Sequence, residues 1–585
     1  MILTKLKEYA DNRMTLPPTM YGETKVAWWI SLTSEGNYEG FVPLKTKENK
    51  RGEPTIAPHI GRTVGVKPKL LADTGEYVLG IGRATSKPER VADCHEQFKQ
   101  LIQACADATE EPVVKAVLYF LTTPEELEKA KADLPKDFDP GDVITFRVGE
   151  MIPADAAYKL HSVEAFWASF TSGNGEEEIA SSNPTMTCLI TGEETVVEKR
   201  LPFLVKGLIG GQPSGTALVS ANSPPFMSYG LQNSLTSPIS REAAERFTKA
   251  LNSLIADGRS RIYIGSTVYT FWTREKTSFN PLALISQPKL EEVEALFKSP
   301  STTQQASSLN ESKVNQFYAL ALTANNARAV VRDWLETTIP NVQEKLQDWF
   351  CNQRIVDPYG ANHRPLSVYT LAANIYRDAS KEMQPTAPTA LIRNALHGDR
   401  IPEELLVKLV RRNRTEQDIT YPRAVLLKLI FSSYGPRKNM MTNMEQLNLN
   451  PDLEGNDRKA YFCGRLFAVL ESLQKAAIGS INASLADRYY GAASSTPNVA
   501  LTPLMKLRQA HLAKLRKNKP GVCVAIEDRL MEIFSNLPPS ELPKSLNLQQ
   551  QGLFGLGYYH QRASDRAAAK AASEAKKAAQ ASTTP

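Results

Sequence analysis

A change of texture near residue 310 limits what this chain can fold into more than any other feature of its sequence. Ahead of that point, strand-like runs are closely punctuated by proline and glycine, from Pro202 through Gly215 to Pro224, Pro225 and Gly230. The run KVAWWISL, with Trp28, Trp29 and Ile30, reads as a strand. RIYIGSTVYTFW reads as two strands about a Gly265-Ser266 turn, and TCLITGEETVV as a second hairpin. Long loops are expected between them. Beyond residue 310 apolar residues recur at helical spacing between short polar breaks, with KEMQPTAPTA as a linker. In YFCGRLFAVLESLQKAA, Cys463, Leu466, Phe467, Leu470 and Ala477 follow the helical period, and Gly464 leaves room for a neighbouring helix. The expected fold class is α+β and multidomain, a mixed α/β N-terminal part followed by a mainly helical C-terminal bundle. The expected divisions are a mixed α+β domain over 1–300, a helical connecting region over 301–440 and a helical bundle over 441–562. Residues 563–585, rich in alanine and lysine, hold too little bulky apolar surface to pack, and read as a frayed or disordered basic tail.

At 585 residues and 42% hydrophobic, the chain can bury several cores. Its start, MILTKLKEYADNR, lacks the basic and apolar regions of a secretory signal, and no stretch reaches the roughly 18 uncharged apolar residues of a membrane span. A cytoplasmic protein without membrane contact is expected. Cys94, Cys105, Cys188, Cys351, Cys463 and Cys523 form no C-x-x-C pair and have no histidine at zinc-ligand spacing, so buried reduced thiols are expected. The net charge of +6 sits at one end: residues 441–585 hold 18 Lys and Arg against 12 Asp and Glu, and the rest is balanced. Such an excess favours polyanions through counterion release, although solubility alone would also account for it.

The sequence contains no phosphate loop, no H-E-x-x-H and no His-Asp dipeptide. GGQPSG fails as a serine elbow because Gln212, two residues before Ser214, stands where the elbow's first glycine belongs. Seven dispersed histidines give no cluster. The expectation is a protein without catalytic residues, metal or cofactor.

Three segments suit nucleic acid. In LVKGLIGGQPSGTALVSAN, Gly207, Gly210, Gly211 and Gly215 surround Gln212 and Ser214 beside Lys206. Glycines let a backbone come close to a bulky partner, and Gln and Ser can hydrogen-bond base edges or phosphates. A plain glycine-rich turn between strands has the same composition. HIGRTVGVKPKLLADTGEYVLGIGR sets Arg62, Lys67, Lys69 and Arg83 among turn-forming residues, with Tyr77 available for stacking, although an ordinary solvated loop would look alike. In LMKLRQAHLAKLRKNKP, Leu504, Met505, Leu507, Leu512 and Leu515 fall on one helical arc, and Lys506, Lys514, Arg516 and Lys517 on the opposite face. Arg508 falls within the apolar arc, so it must snorkel or find a buried partner.

Several motifs, in order along the chain, resemble the large subunit of the type I-C CRISPR interference complex, the family called Csd-one or Cas-eight subtype c. They are MILTKLKEYAD at the start, CLITGE (188–193), GGQPSGTALVS (210–220), LTANNARAVVRDWLE (322–336), GRLFAVLE (464–471), RYYGAASSTP (488–497) and QGLFGLGYYHQR (551–562). The resemblance implies a non-catalytic subunit of a ribonucleoprotein that carries crRNA, beside the subunit that holds the crRNA handle. It implies reading of the protospacer-adjacent motif, the PAM, in double-stranded DNA and help in opening the duplex, while the guide supplies most sequence specificity. Lys206, Gly210, Gly211, Gln212, Ser214 and Gly215 are then the PAM candidates, Arg62, Lys67, Lys69 and Arg83 the backbone candidates, and Lys506, Lys514, Arg516 and Lys517 the displaced-strand or R-loop candidates. The 441–562 bundle would resemble the small subunit, a separate copy of which could start internally at Met440, Met441 or Met444. Backbone subunits and a recruited helicase-nuclease complete the implied partners. Pro213 and Lys69 depart from the family pattern, which favours a small polar residue and an asparagine there. Two other readings remain: a ribonuclease that processes crRNA precursor through unremarkable His, Tyr and Lys side chains, and a purely structural scaffold.

Overall fold

The computed structural model describes residues 2–46, 49–60, 65–171, 184–298, 315–357, 364–434, 449–479 and 482–581. The chain forms two compact units, Met1–Lys206 with Gly211–Ser253 and Asn326–Arg328, and Gly207–Gly210 with Leu254–Asn325 and Ala329–Pro585.

The first unit holds strands β1 (Tyr21–Val26), β2 (Trp28–Leu32), β3 (Tyr38–Pro43), β4 (Glu53–Pro58), β5 (Ala72–Thr74), β6 (Val143–Val148), β7 (Thr185–Thr187) and β8 (Glu194–Val196). Its four-stranded sheet has the order β3-β2-β6-β5, with β2 and β6 parallel. Along β2, Trp28, Ile30 and Leu32 are buried while Trp29 and Ser31 are half-buried, the two-residue period of a strand. The buried set shares a core with Ile144, Phe146 and Val148 and with Phe98, Ile102, Val117 and Phe120 of helices Pro88–Thr109 and Pro112–Thr122. KVAWWISL is divided between two sheets rather than forming one strand. Ala27 is the break: it donates to the Val143 carbonyl and accepts from the Leu44 amide, while β1 pairs with β4. TCLITGEETVV does form an antiparallel hairpin of β7 and β8.

The second unit begins with a sheet of order β12-β11-β10-β9, comprising β9 (Arg261–Ile264), β10 (Thr267–Thr273), β11 (Gln316–Asn325) and β12 (Arg328–Thr338). Ile264 faces Thr267 across the Gly265-Ser266 turn, with Gly265 at φ +59°. Helix was expected from about residue 310, yet the first described elements there are β11 and β12, and helix starts at Ile339. Val330, Val331, Trp334, Thr337 and Thr338, β-branched or aromatic, favour the pleated strand over the helix. KEMQPTAPTA is a linker only over Met383–Pro385. Its later residues open the helix Thr386–His397, whose first turn tolerates Pro388 because an amide there would have no helical acceptor.

The helical part is organised about two helices, Gly455–Ile478 and the C-terminal Leu548–Ala581, and the latter carries most of the expected tail as helix. A Cβ on Gly464 would stand 2.0 Å from the Phe554 carbonyl oxygen, and one on Gly557 would stand 2.0 Å from that of Tyr461. The two backbones therefore touch. Polar groups close the crossing: Tyr461 and His560 Nδ1 share a hydrogen bond of 2.8 Å, Arg465 donates to Gln561 at 2.9 Å and pairs with Glu532 at 3.0 Å, and Tyr558 donates to Glu471 at 2.7 Å. Cys94, Cys105, Cys188, Cys463 and Cys523 are buried, and Cys351 is half-buried. Among the described residues no helix is long and apolar enough to cross a membrane.

Gly464→Ala should lower stability by roughly 1 to 3 kcal/mol, read as a fall in the denaturant midpoint, since a new methyl forces the helices apart. In an exposed helix the same change would stabilise by up to about 1 kcal/mol. A midpoint that rises or stays fixed would sink the close crossing.

Burial, with the nearby Lys428 and Arg465 charges, pushes the His560 imidazole down to about 3 from an ordinary 6.5. Below pH 6.5 the unfolded chain takes up a proton that the fold refuses, so this contribution to stability is present above 6.5 and lost as pH falls toward 3. Replacing His560 by Asn should flatten the dependence of the unfolding midpoint on pH over that window. Parallel profiles for the two proteins would remove His560 from the account.

Candidate nucleic-acid surfaces

The glycine loop begins at Val205, whose N–H and C=O both pair with Thr216 at 2.8 Å. This reciprocal pair closes the stem. Asn252 fastens its base, accepting from the Lys206 amide at 2.8 Å and donating to the Leu204 carbonyl at 3.0 Å. Gly215 has φ +114°, and a Cβ there would stand 2.7 Å from that of Leu204, so only glycine fits. At the tip the Gly215 amide bonds back to the Gln212 carbonyl at 2.9 Å, which makes Gln212-Pro213-Ser214-Gly215 a β-turn. Pro213 occupies its second position, where proline presets the required φ. Pro213 thus stiffens the turn that presents Gln212 and Ser214. Both of those side chains are exposed, as is Lys206.

The end of the β11–β12 hairpin is fastened to the loop. Gly211 bridges Asn326, Ala217 bridges Arg328, and the Ala217 amide donates to the Ala327 carbonyl at 2.8 Å. Arg328 then donates to Asn222 at 2.5 Å and lies 4.6 Å from the centre of the exposed Phe226 ring. Sequence reasoning did not nominate Arg328 or Phe226. The helical expectation beyond residue 310 covers LTANNARAVV, and only a strand reading puts Arg328 next to a hairpin turn.

The second segment is less uniform than its composition. Arg62 lies outside the described residues, as do Met440, Met441 and Met444. Lys67 is exposed, and its amide donates to the Tyr77 hydroxyl at 3.3 Å. Tyr77 is only 3% exposed, so the stacking role expected of it is excluded by burial in the core. Lys69 is half-buried, its amide held by Asp73 at 2.7 Å. Arg83 is exposed but pairs with Asp139 at 2.6 Å.

The basic helix spans Pro497–Asn518 in the second unit. Leu504, Leu512 and Leu515 are buried and Lys506, Lys514, Arg516 and Lys517 exposed, as the helical wheel requires. Leu507, placed on the apolar arc, is instead 58% exposed. Its position is the margin of the arc. Arg508 lies 4.8 Å from the Phe534 ring centre, so its charge has an aromatic partner. Arg516 pairs with Glu527, while Lys506, Lys514 and Lys517 form no ion pair among the described residues.

The protein is an α+β chain of two units, with the turn Gln212-Pro213-Ser214-Gly215, exposed at its tip, on the first and the basic helix on the second. The sequence profile of the CRISPR-associated protein family Cas_Csd1 matches residues 3–565, and the chain belongs to that family. No curated protein matches it.

For the helix, changing Lys506, Lys514 and Lys517 together to Glu should reduce the slope of log affinity against log salt for single-stranded DNA by about 0.7 per lost phosphate contact. Arg516→Ala should change it less, because Glu527 already engages that guanidinium. An unchanged slope in a folded triple variant would mark the face as merely solvated.

Proposed function

We propose that this CRISPR-associated chain is the non-catalytic large subunit of a type I-C surveillance complex, where it reads the PAM in double-stranded DNA, helps open the duplex and supports the R-loop. The type I-C assignment rests on the ordered motifs from MILTKLKEYAD to QGLFGLGYYHQR. Its partners in this reading are crRNA, the target duplex, the handle-binding, backbone and small subunits, and the helicase-nuclease. The observation that carries the reading is the rigid turn Gln212-Pro213-Ser214-Gly215, exposed at its tip and closed by a backbone bond of 2.9 Å. A Gln side chain can take adenine N6 and N7 together, and a short Ser hydroxyl suits either a base edge or a phosphate. Lys206, exposed at the foot of the loop, supplies charge that is indifferent to sequence.

The two kinds of contact predict two kinds of loss. In the assembled complex, Gln212→Ala should cost about 1 to 3 kcal/mol of discrimination at one base pair of a PAM library, whereas Lys206→Ala should weaken every sequence alike. A profile that survives Gln212→Ala but flattens when Arg62, Lys67 and Lys69 are replaced would move the reader to the N-terminal basic loop. Cleavage of repeat RNA by the purified chain would favour the ribonuclease instead.

A further inference from the structure

Tyr229 is the most exposed large apolar side chain among the described residues, at 98% of its full surface. It is not on a loose loop. Ser228 and Leu231 bridge one another, with the Leu231 amide bonded to the Ser228 carbonyl at 2.9 Å, and the two residues between them, Tyr229 and Gly230, have φ of +50° and +71°. Two consecutive positive values are what a type I′ turn requires, and asparagine or glycine ordinarily fills its first position. A bulky tyrosine there is strained, and such strain persists where the surroundings impose it, commonly at functional sites. The preceding turn is also fixed, by bonds from Phe226 to Ser223 at 2.9 Å and from Met227 to Pro224 at 3.0 Å. Phe226 and Met227 are themselves 47% and 38% exposed.

The chemistry around this tip is selective. From Leu201 to Ser240 the only charged residue is Lys206, and there is no carboxylate, in a chain where 23% of residues are charged. The hairpin end adds Arg328, whose guanidinium lies over Phe226. Flat rings beside a guanidinium, in a segment that itself carries no carboxylate, match what an unpaired nucleotide offers, a planar base on an anionic backbone. We propose that Tyr229, with the Phe226–Arg328 pair in the same segment, is a stacking site for an unpaired nucleobase. The inference rests on the reading that this unit contacts nucleic acid and adds to it a site for a base out of its pair. Gln212 would read paired bases; Tyr229 would hold one that has left its partner.

The test uses the full chain, with single-stranded DNA and RNA oligonucleotides that carry 2-aminopurine, whose fluorescence falls on stacking. The wild type should quench the probe. Tyr229→Phe, which keeps the ring, should bind within about two-fold of it. Tyr229→Asn, which keeps a residue tolerant of positive φ and so preserves the turn, should lose about ten-fold or more in affinity together with the quenching. Comparing the DNA and RNA arms identifies which strand supplies the base. Unchanged affinity and quenching in Tyr229→Asn would overturn the site, and if the PAM profile still depended on Gln212 the loss would fall on this inference alone. Failure of the wild type to bind either oligonucleotide, joined to a PAM profile indifferent to Gln212, would remove the underlying reading. A Tyr229→Asn chain that binds normally but no longer co-purifies with its partner subunits would make the tip a protein contact and overturn base stacking.

Discussion

The helical part of this protein depends on one contact in which two helices meet backbone to backbone. Glycines on both sides, Gly464 and Gly557, remove the side-chain layer that ordinarily separates packed helices. Such an approach gains dispersion contact but leaves little space to absorb error, so the polar groups flanking it must already be matched. They are: Arg465, fully buried, has Gln561, Glu532 and the Leu449 carbonyl as acceptors, and Glu471 accepts from Tyr558 and pairs with Lys475 at 2.6 Å. A buried guanidinium is costly unless its donors are met, and these partners come from residues well apart in sequence. The crossing and the network therefore stand or fall together, which is a more specific arrangement than apolar packing alone would give.

The glycine loop meets a different constraint, because an exposed loop has to stay in water and still keep its shape. Glycine makes the necessary bends possible but loses much conformational freedom on folding. The loop limits that cost by confining it. Val205 and Thr216 close the stem, Pro213 removes freedom from the tip, and the Asn326–Arg328 hairpin end braces the exit at Ala217. What remains free is the side chains of Lys206, Gln212 and Ser214, which are the groups with chemistry to offer.

How much of this could be read beforehand varied with the range of the signal. The Gly265-Ser266 turn, the β7–β8 hairpin and the close approach at Gly464 followed from local residue types, and each is present. The division of KVAWWISL did not, since only tertiary pairing on either side tells Ala27 to change sheets. The β11–β12 hairpin was missed because the helical expectation beyond residue 310 covered LTANNARAVVRDWLE, whose β-branched and aromatic residues suit strands. With the hairpin went Arg328. Tyr77 was misjudged for a related reason: an aromatic among loop residues can be the anchor that holds the loop to the core, and sequence alone does not separate anchor from reader.

Counting cations therefore says less about a polyanion surface than knowing which of them are already occupied. Arg83 and Arg516 have carboxylate partners in Asp139 and Glu527, whereas Lys206, Lys506, Lys514 and Lys517 have none among the described residues. A phosphate approaching Arg83 must replace Asp139 and then tolerate it nearby. The surface pair itself is weak because water screens it, and the displaced carboxylate, still beside the phosphate, repels it. Together these can cancel what one phosphate contact contributes. Part of the positive excess near the C-terminus lies on the helix Pro497–Asn518, and within it the carboxylate on the next helix decides which cations are already paired. By the same argument Lys206, the single cation between Leu201 and Ser240, counts for more than its number would imply, because no carboxylate among the described residues pairs with it.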